Sequence, residues 1–486
     1  MDDLRARARH GAALEDLAGP ALCLLDRPGT AARNVVFDDD VRVMAARVAG
    51  GTVVHGGRAA GPDRMRGTRL LAALLLSLSG EGVHMICPDE EAAEAEAAAA
   101  RAVYGPLGVV AATVRSGMDA AGRRSAYAAD VTFGALSRFG PDALADARVM
   151  DRAARVGRGT PAAVVSDPGQ VMIAFNRRIT LLEKDVTPAG ELRRIAGFAA
   201  GLREGADVTV DAESAVPRLT PRGRERLHDA YGVVVPVSTA ALLLEKRAVE
   251  AVLARRSRRG EEYELAGGEV LRLPSGTLPD GLGFTGGLRQ AIEVREGVAV
   301  SDTDWPVAVG SVPAHFRGYR VVGGTSQAEL LFTAELEELF GLRVWDRRTE
   351  GEREAERVHA ADLGRYLELN RKLARWDAVG CRHRAGFGDL RESLWEPSGT
   401  ALAVRSLTGD AVPADADTDA LRAGLRSVLD QALVHYNVAE GYGRGAHWPD
   451  GLPAYERSLT EIRDSLWHDV RGAVARWLRK GPSAGA

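Results

Sequence analysis

The chain has 486 residues, which is enough for roughly two to four domains. Its apolar fraction of 45%, charged fraction of 27% and net charge of -4 are typical of a soluble globular protein and argue against a broadly basic surface for nucleic acid or membrane. The most apolar run, residues 70–80, is too short to span a bilayer, and the charged N-terminus predicts no secretory signal.

Residues 30–185 alternate between short apolar runs and helical patterns. Alternation at these lengths predicts a parallel sheet covered by helices. The run 70–80 is predicted to be a buried helix, and the Ala/Glu-rich stretch 90–102 a helix with a solvated face. Strands are predicted over 47–56, 82–87, 108–114, 129–134 and 162–167, and helices over 69–80, 90–105 and 121–129.

The pattern changes twice further along the chain. Up to about residue 340, short strands mix with helices such as 238–256 and 286–296, which predicts a separate α+β domain. After about residue 350, apolar positions at helical spacing predict long helices packed on one another, joined by a polar linker at 408–419.

For several side chains a structural role is the simplest interpretation. Tyr127, Phe133, Phe139 and Phe175 are interpreted as core residues, and the arginine-bearing helix faces at 371–391 and 471–479 as solvated. Three cysteines lie far apart and match no metal-ligand spacing, which favours a reducing cytoplasm. The ten histidines contain no H-E-x-x-H pair, so a metal site is not predicted.

Residues 55–71, HGGRAAGPDRMRGTRLL, are the candidate phosphate loop before the first helix of the sheet domain. Such a loop needs a Gly-rich turn whose N–H groups surround phosphate, followed by a lysine and a Ser or Thr. The chain has only four lysines, and none precedes Lys184. Arg64 and Arg66 are basic, but a planar guanidinium does not fit the position of an ammonium. The sequence therefore predicts a loop that does not bind a triphosphate productively.

A second motif, GLGFTGG at 281–287, has the G-x-G-x-x-G spacing of a dinucleotide site, and Asp302 and Asp304 lie about 20 residues beyond it. However, residues 274–280 separate the preceding predicted strand from the first glycine, whereas the dinucleotide motif joins strand and turn directly. A structural loop is the favoured interpretation, with cofactor binding as the alternative.

The sequence resembles SecA, the motor ATPase family of bacterial protein export. GRRSAYAADVTFGALSRFG, residues 122–140, is similar to a characteristic segment of that family, and AVVSDPGQVMIAFNRRITLL, residues 163–182, to its Walker B strand and the segment beyond. Other similar segments follow in the family's order, and this collinearity makes the resemblance specific. They are 37–57, 80–86, 267–273, 286–298, 315–345, 370–395 and 452–470.

The resemblance implies an α/β fold class: a parallel-sheet, P-loop, helicase-like domain, an inserted α+β preprotein-binding-like domain and a C-terminal α-helical scaffold. The family's second nucleotide-binding domain should precede the scaffold, but only about 25 residues, 346–370, are available for it. The implied boundaries are 1–185 for the first nucleotide-binding-like domain, 186–315 for the insertion, 316–350 for the return to the first domain and 351–486 for the scaffold.

The resemblance also implies where a nucleotide site would lie, and the sequence departs from the family there. GPDRMRGT stands in place of the Gly-Lys-Thr loop, Ser166-Asp167 in place of an Asp-Glu pair, and Arg42 in place of the glutamine that reads adenine. Neither a catalytic residue nor a bound cofactor is predicted, and ATP and magnesium are not expected to bind. The vestigial site would comprise Arg42, Gly61, Arg64, Arg66, Thr68 and Asp167.

Three functional hypotheses follow. The first is a SecA-like protein without a competent ATP site that binds unfolded polypeptide, preprotein, a complete SecA or the Sec channel as an accessory or adaptor. The second is a divergent ATPase that uses Arg64 or Arg66 and a partner's lobe. The third is a purely structural interaction protein. The predicted location is cytoplasmic, with at most peripheral contact at the inner face of the membrane and no nucleic-acid partner.

Overall fold

The computed structural model divides the chain into two compact units, each described here by itself. The first unit contains residues 1–180 and 310–378, and the second contains residues 181–309 and 379–486. The described residues are 1–25, 34–148, 152–159, 161–174, 178–185, 187–210, 217–233, 239–273, 287–328, 331–354, 364–414, 416–445 and 451–480.

A parallel seven-stranded sheet, in the order β13-β1-β12-β5-β2-β4-β3, forms the centre of the first unit. Apolar, β-branched runs account for its inner strands, which are buried along their length. The strands are β1 (Thr52–His55), β2 (Val83–Cys87), β3 (Ala111–Thr113), β4 (Val131–Ala135), β5 (Ala162–Ser166), β12 (Val321–Ser326) and β13 (Arg343–Asp346).

Helices cover both faces of this sheet, so the predicted parallel α/β domain is confirmed. Successive residues of β1 point to opposite faces: Val54 belongs to one apolar cluster and Val53 to the other. The helices are α1 (Asp2–Arg9), α2 (Leu14–Leu25), α3 (Asp39–Ala49), α4 (Gly57–Ala60), α5 (Pro62–Ser77), α6 (Glu90–Tyr104), α7 (Ala120–Tyr127), α8 (Leu136–Arg148), α13 (Val312–Arg317) and α14 (Thr333–Phe340).

The run at 70–80 is a buried helix, as predicted: every residue of α5 from Leu70 to Ser77 is buried. Tyr127, Phe133 and Phe139 are core residues, whereas Phe175 lies outside the described residues. The stretch 90–102 is a helix with a solvated face, as predicted, and α6 also has a buried face that includes Glu96. That carboxylate is buried because it pairs with arginines of α5.

The second unit mixes short strand pairs with helices, as the change of pattern predicts. β7 (Val208–Val210) pairs antiparallel with β8 (Pro217–Leu219), and β9 (Tyr263–Ala266) with β10 (Glu269–Arg272). β6 (Arg178–Asp185) and β11 (Thr303–Ser311) also pair with each other. Helices α9 (Ala189–Ala200), α10 (Pro221–Tyr231), α11 (Thr239–Arg256) and α12 (Leu288–Glu296) complete this part.

Long helices follow after residue 363, as predicted: α15 (Gly364–Ser393), α16 (Pro397–Thr408), α17 (Thr418–Gly445) and α18 (Gly451–Lys480). Within the second unit, Phe387 stacks on Trp467 with ring centroids 4.1 Å apart. The prediction of a wholly solvated arginine face at 371–391 is wrong at Arg391, which is buried and paired with Asp430 of α17. None of the described helices combines the length and apolarity needed to cross a membrane.

Candidate functional site

The candidate site lies where the central strands of the first unit end. Carboxyl ends of parallel strands meet at one edge of the sheet, and ligands of open α/β sheets bind there. β1 leads into α4 and α5, while β5 and β12 end beside them in Asp167 and Ser326. All residues of the predicted vestigial site except Arg42 belong to this edge or to the helix that leaves it.

The predicted phosphate loop is largely helical, which corrects the assignment of 55–71 as a loop. Only Gly61, with a φ of 71°, separates α4 from α5. Pro62 begins α5, and the acidic Asp63 lies in its first turn. Thr68 is fully buried one and a half turns into the helix, where its hydroxyl donates to the carbonyl of Arg64 at 2.9 Å. Thr68 is therefore not presented to a ligand.

Gly67 of α5 is in close contact with the chain before α3. A Cβ atom at this position would lie 2.0 Å from the carbonyl oxygen of Val36. Any side chain here, lysine included, would force that backbone aside. The helix surface at Gly67 is thus filled by protein backbone.

The backbone N–H groups at the start of the segment have acceptors within the chain. Gly56 donates to the carbonyl of Ser326 at 3.1 Å, and Gly57 donates to Nδ1 of His55 at 3.0 Å. Nδ1 as an acceptor leaves the proton of His55 on Nε2, which donates to a backbone carbonyl at 2.8 Å. Burial lowers the pKa of His55, which keeps this neutral tautomer.

The next N–H group, that of Arg58, donates to Oε1 of Glu352 at 2.8 Å. In a phosphate loop such N–H groups face the oxygens of the nucleotide. Here a side-chain carboxylate of the same chain accepts this hydrogen bond.

Arg64 and Arg66 both project from α5 into ion pairs. Arg64 binds Asp38, the N-cap of α3, through Nε at 2.8 Å and Nη2 at 2.7 Å. Partial burial acts to raise the pKa of Asp38, but the hydrogen bond and charge of Arg64, together with hydrogen bonds from the backbone of α3, lower the pKa overall. Arg66 donates to Oε1 of Glu96 at 3.0 Å.

A third arginine, Arg69, completes a buried triad with Arg66 and Glu96. Its Nη2 lies 2.7 Å from Oε1 of Glu96, and its Nη1 donates to Oγ1 of Thr325 at the end of β12 at 2.8 Å. Burial acts to raise the pKa of Glu96, but the charges of Arg69 and Arg66 lower it overall. Glu96 is therefore ionised and held between two guanidinium groups.

The end of β5 carries the remaining predicted site residue, Asp167. It has a φ of 53°, a left-handed conformation that Asp tolerates better than most residues. Its Oδ1 accepts from the hydroxyl of Ser326 at 2.7 Å. A π-helical turn, Gly169–Ala174, follows directly.

Arg42 and the second motif do not join this site. Arg42 lies on α3 and donates to Asp39 at 3.2 Å. Of the motif GLGFTGG, residues 281–286 lie outside the described residues. Across the described parts of the chain, no cluster of three or more His, Cys, Asp or Glu side chains is arranged to hold a metal ion.

Sequence reasoning missed His55, Arg69, Glu96 and Glu352. A signal existed for two of them. Glu96 has the spacing of the buried residues Ala93, Ala97 and Ala100 on one face of α6, and Thr349 to Glu352 has the spacing of a helix capping box. The partners of these side chains lie far away in sequence, which no local pattern reveals.

Comparison with known proteins agrees with this architecture. The family model "SecA DEAD-like domain" matches residues 1–337. Similar proteins include the protein translocase subunits SecA of Clostridium perfringens, 27% identical over 70% of this chain and 41% of that protein, and of Rubrobacter xylanophilus, 27% identical over 79% and 43%. That of Clostridium botulinum is 26% identical over 79% of this chain and 46% of that protein. The chain thus spans less than half the length of these relatives, and it belongs to the SecA DEAD-like domain family.

Proposed function

We propose that this SecA-like chain binds polypeptide or components of the export apparatus without an ATP site of its own. The first half of this proposal, the lack of an ATP site, rests on the structure of the segment after β1. Its residues form α4 and α5, and the N–H of Arg58 is bonded to Glu352 instead of facing an open loop.

The chemistry of hydrolysis supports the same reading. Phosphoryl transfer needs a cation on the terminal phosphates, a metal-holding acid, a group that positions water and an arginine across the cleft. Arg64 and Arg66 are bound to Asp38 and Glu96, and Ser166 stands at the position of the first acid. Groups of this kind act as a unit, so the loss of one costs orders of magnitude in rate.

Calorimetric titration with ATP and magnesium tests this first half. We expect neither heat of binding nor a shift in the unfolding temperature at millimolar nucleotide. The backbone N–H groups and arginines that could bind phosphate already form hydrogen bonds and ion pairs within the protein. Binding tighter than about 100 µM, equivalent to about 5.5 kcal/mol, would contradict the proposal. A complete SecA serves as the positive control.

If ATP does bind, two variants test which arginine contacts its phosphates. Arg64→Ala and Arg66→Ala remove the cations that a divergent ATPase would use, so loss of binding in either one would favour that alternative. Hydrolysis that depends on a separately added second nucleotide-binding lobe would establish it.

The second half of the proposal concerns the partner. The similar proteins are named protein translocase subunits, and the second unit offers short strand pairs whose outer edges can accept an added strand. β-Augmentation uses backbone hydrogen bonds and is therefore tolerant of sequence, as binding of varied unfolded chains requires. We place this activity in the cytoplasm, with the preprotein and the Sec channel as partners and with peripheral contact at the membrane.

Equilibrium binding of fluorescent, permanently unfolded reporter polypeptides tests this activity. We expect saturable binding with a Kd in the micromolar range, about 8 kcal/mol, and no binding of the same reporters in their folded form. If none of the reporters binds, the polypeptide role is wrong, and a purely structural interaction protein becomes the better description.

A further inference from the structure

A short segment after β13 lies over the start of α4. We call residues 346–354 the strap. Its Arg347 N–H donates to the carbonyl of His55, the last residue of β1, at 3.0 Å. A Cβ atom on Gly57 would lie 3.3 Å from the carbonyl oxygen of Arg347 and 3.5 Å from Oε2 of Glu352. The strap thus lies in van der Waals contact with the backbone after β1.

Glu352 joins the strap to this backbone with both of its carboxylate oxygens. Oε2 accepts from the N–H of Thr349 at 2.7 Å and from its hydroxyl at 2.9 Å, which caps the strap's own helical turn. Oε1 accepts from the N–H of Arg58 at 2.8 Å. Hydrogen bonds from the Thr349 and Arg58 N–H groups lower the pKa of Glu352 to about 2, so the carboxylate stays ionised at every physiological pH.

Two further arginines fix the base of the strap. Arg347 binds Asp40 of α3 at 2.8 Å, and its guanidinium lies 5.1 Å from the centre of the Trp345 ring. Arg348 binds Asp346 at 2.8 Å. The base is therefore anchored independently of Glu352, and the far end of the strap reaches the start of α4 through Glu352.

We propose that the strap is an autoinhibitory cap, fastened by Glu352, that keeps the backbone after β1 closed to any ligand. The functional role of this cap rests on the proposed loss of ATP binding, but the contact between Glu352 and Arg58 can be tested without nucleotide. The competing explanation is that Glu352 only caps its own helical turn. In that case the contact with Arg58 would contribute nothing to protection of the loop.

Hydrogen exchange and limited proteolysis of Glu352→Ala separate these explanations. We expect exchange at residues 56–58 to become on the order of tenfold faster, because a hydrogen bond to a charged acceptor is lost. Trypsin should also cleave after Arg353 several-fold faster, since the far end of the strap is released.

Two matched variants in the strap serve as controls. Thr349→Ala removes the hydroxyl of the helix cap but leaves the Glu352–Arg58 contact, and Glu350→Ala removes an exposed carboxylate that pairs with Arg353 at 3.1 Å. Both should leave exchange at 56–58 at the wild-type rate.

Unchanged exchange at 56–58 in Glu352→Ala, or equally fast exchange in Thr349→Ala, would overturn the proposal. If Glu352→Ala does not fold, Glu352→Gln tests the charge of the acceptor alone, because it retains one acceptor oxygen for the Arg58 N–H, and a smaller increase in exchange at 56–58 is then expected. Nucleotide binding by the wild-type chain would contradict the proposed function as well as the cap, whereas a wild-type rate of exchange at 56–58 in Glu352→Ala would contradict the cap alone, so the two failures can be told apart.

Discussion

Glu96→Ala is expected to lower the free energy of unfolding of the first unit by about 3–5 kcal/mol. The variant leaves Arg66 and Arg69 side by side without the carboxylate that both of them bind. Arg69 is buried, and the hydroxyl of Thr325 to which it also donates is neutral. An uncompensated buried charge costs far more than a buried ion pair gains. Urea denaturation followed by circular dichroism measures the change, with hydrogen exchange in α5 and α6 to assign it to the first unit.

Glu94→Ala is the matched control on the same helix. Glu94 pairs with Arg101 at 3.0 Å, and both side chains are more than two-fifths exposed. Water replaces such a pair at little cost, so we expect a loss of at most about 1 kcal/mol. If the two variants lose equal stability, the triad is hydrated in solution and Glu96 has no special structural role.

The central sheet could be predicted from the sequence because its strands are nearly continuous apolar runs between helical patterns. The position of β12 between β1 and β5 could not. Val321 pairs with Ala162 across about 160 residues, and no local periodicity carries that information. Only the resemblance to a family indicated that residues 315–345 return to the first part of the chain.

The segment 55–71 was predicted as a loop, whereas the structure has α4 and most of α5 there. Gly61 and Pro62 suggested a loop, although Pro at the first position with Asp63 behind it is also a strong signal for the start of a helix. Tertiary contacts decide between the two readings: α5 gains a buried apolar face, and Gly67 fits against Val36 only if the helix is already formed there.

Two buried charged side chains, one of them on a helix face predicted to be solvated, have the same physical explanation. Glu96 and Arg391 are buried because each has a partner of opposite charge on another helix, Arg69 on α5 and Asp430 on α17. Helical periodicity shows which face of the helix a residue is on, but not whether a neighbouring element supplies a side chain of opposite charge. Buried ion pairs of this type are therefore invisible to composition and spacing.

Acidification from pH 7 to pH 5 is expected to destabilise the first unit by about 4 kcal/mol through the buried His84 and the partly buried His315. His84 stacks on Phe139 with ring centroids 4.5 Å apart and shares a hydrogen bond of 2.8 Å with the hydroxyl of Tyr319. His315 packs edge-on against the same tyrosine at 5.4 Å. Burial lowers the pKa of His84 to about 3 and that of His315 to about 4.

The sign of the effect follows from proton uptake in the two states. In the unfolded chain an imidazole binds a proton as the pH falls through about 6.5, whereas in the folded protein the pKa of His84 is about 3 and that of His315 about 4, so both are largely neutral at pH 5. Between these limits the unfolded state binds more protons, so stability falls as the pH is lowered. By pH 5 each of these two histidines lowers the free energy of unfolding by about 2 kcal/mol. Burial also lowers the pKa of His55, which therefore acts in the same direction.

The slope of stability against pH tests this without relying on absolute stability. His84→Phe keeps the ring stack, removes the titrating group and leaves the Tyr319 hydroxyl without its partner, so its stability at pH 7 will be lower. The decrease in its free energy of unfolding between pH 7 and pH 5 should nevertheless be smaller than that of the wild type by about 2 kcal/mol. A His84→Phe slope equal to that of the wild type would mean that this imidazole takes up its proton inside the folded core, which its contacts with three aromatic rings make physically costly.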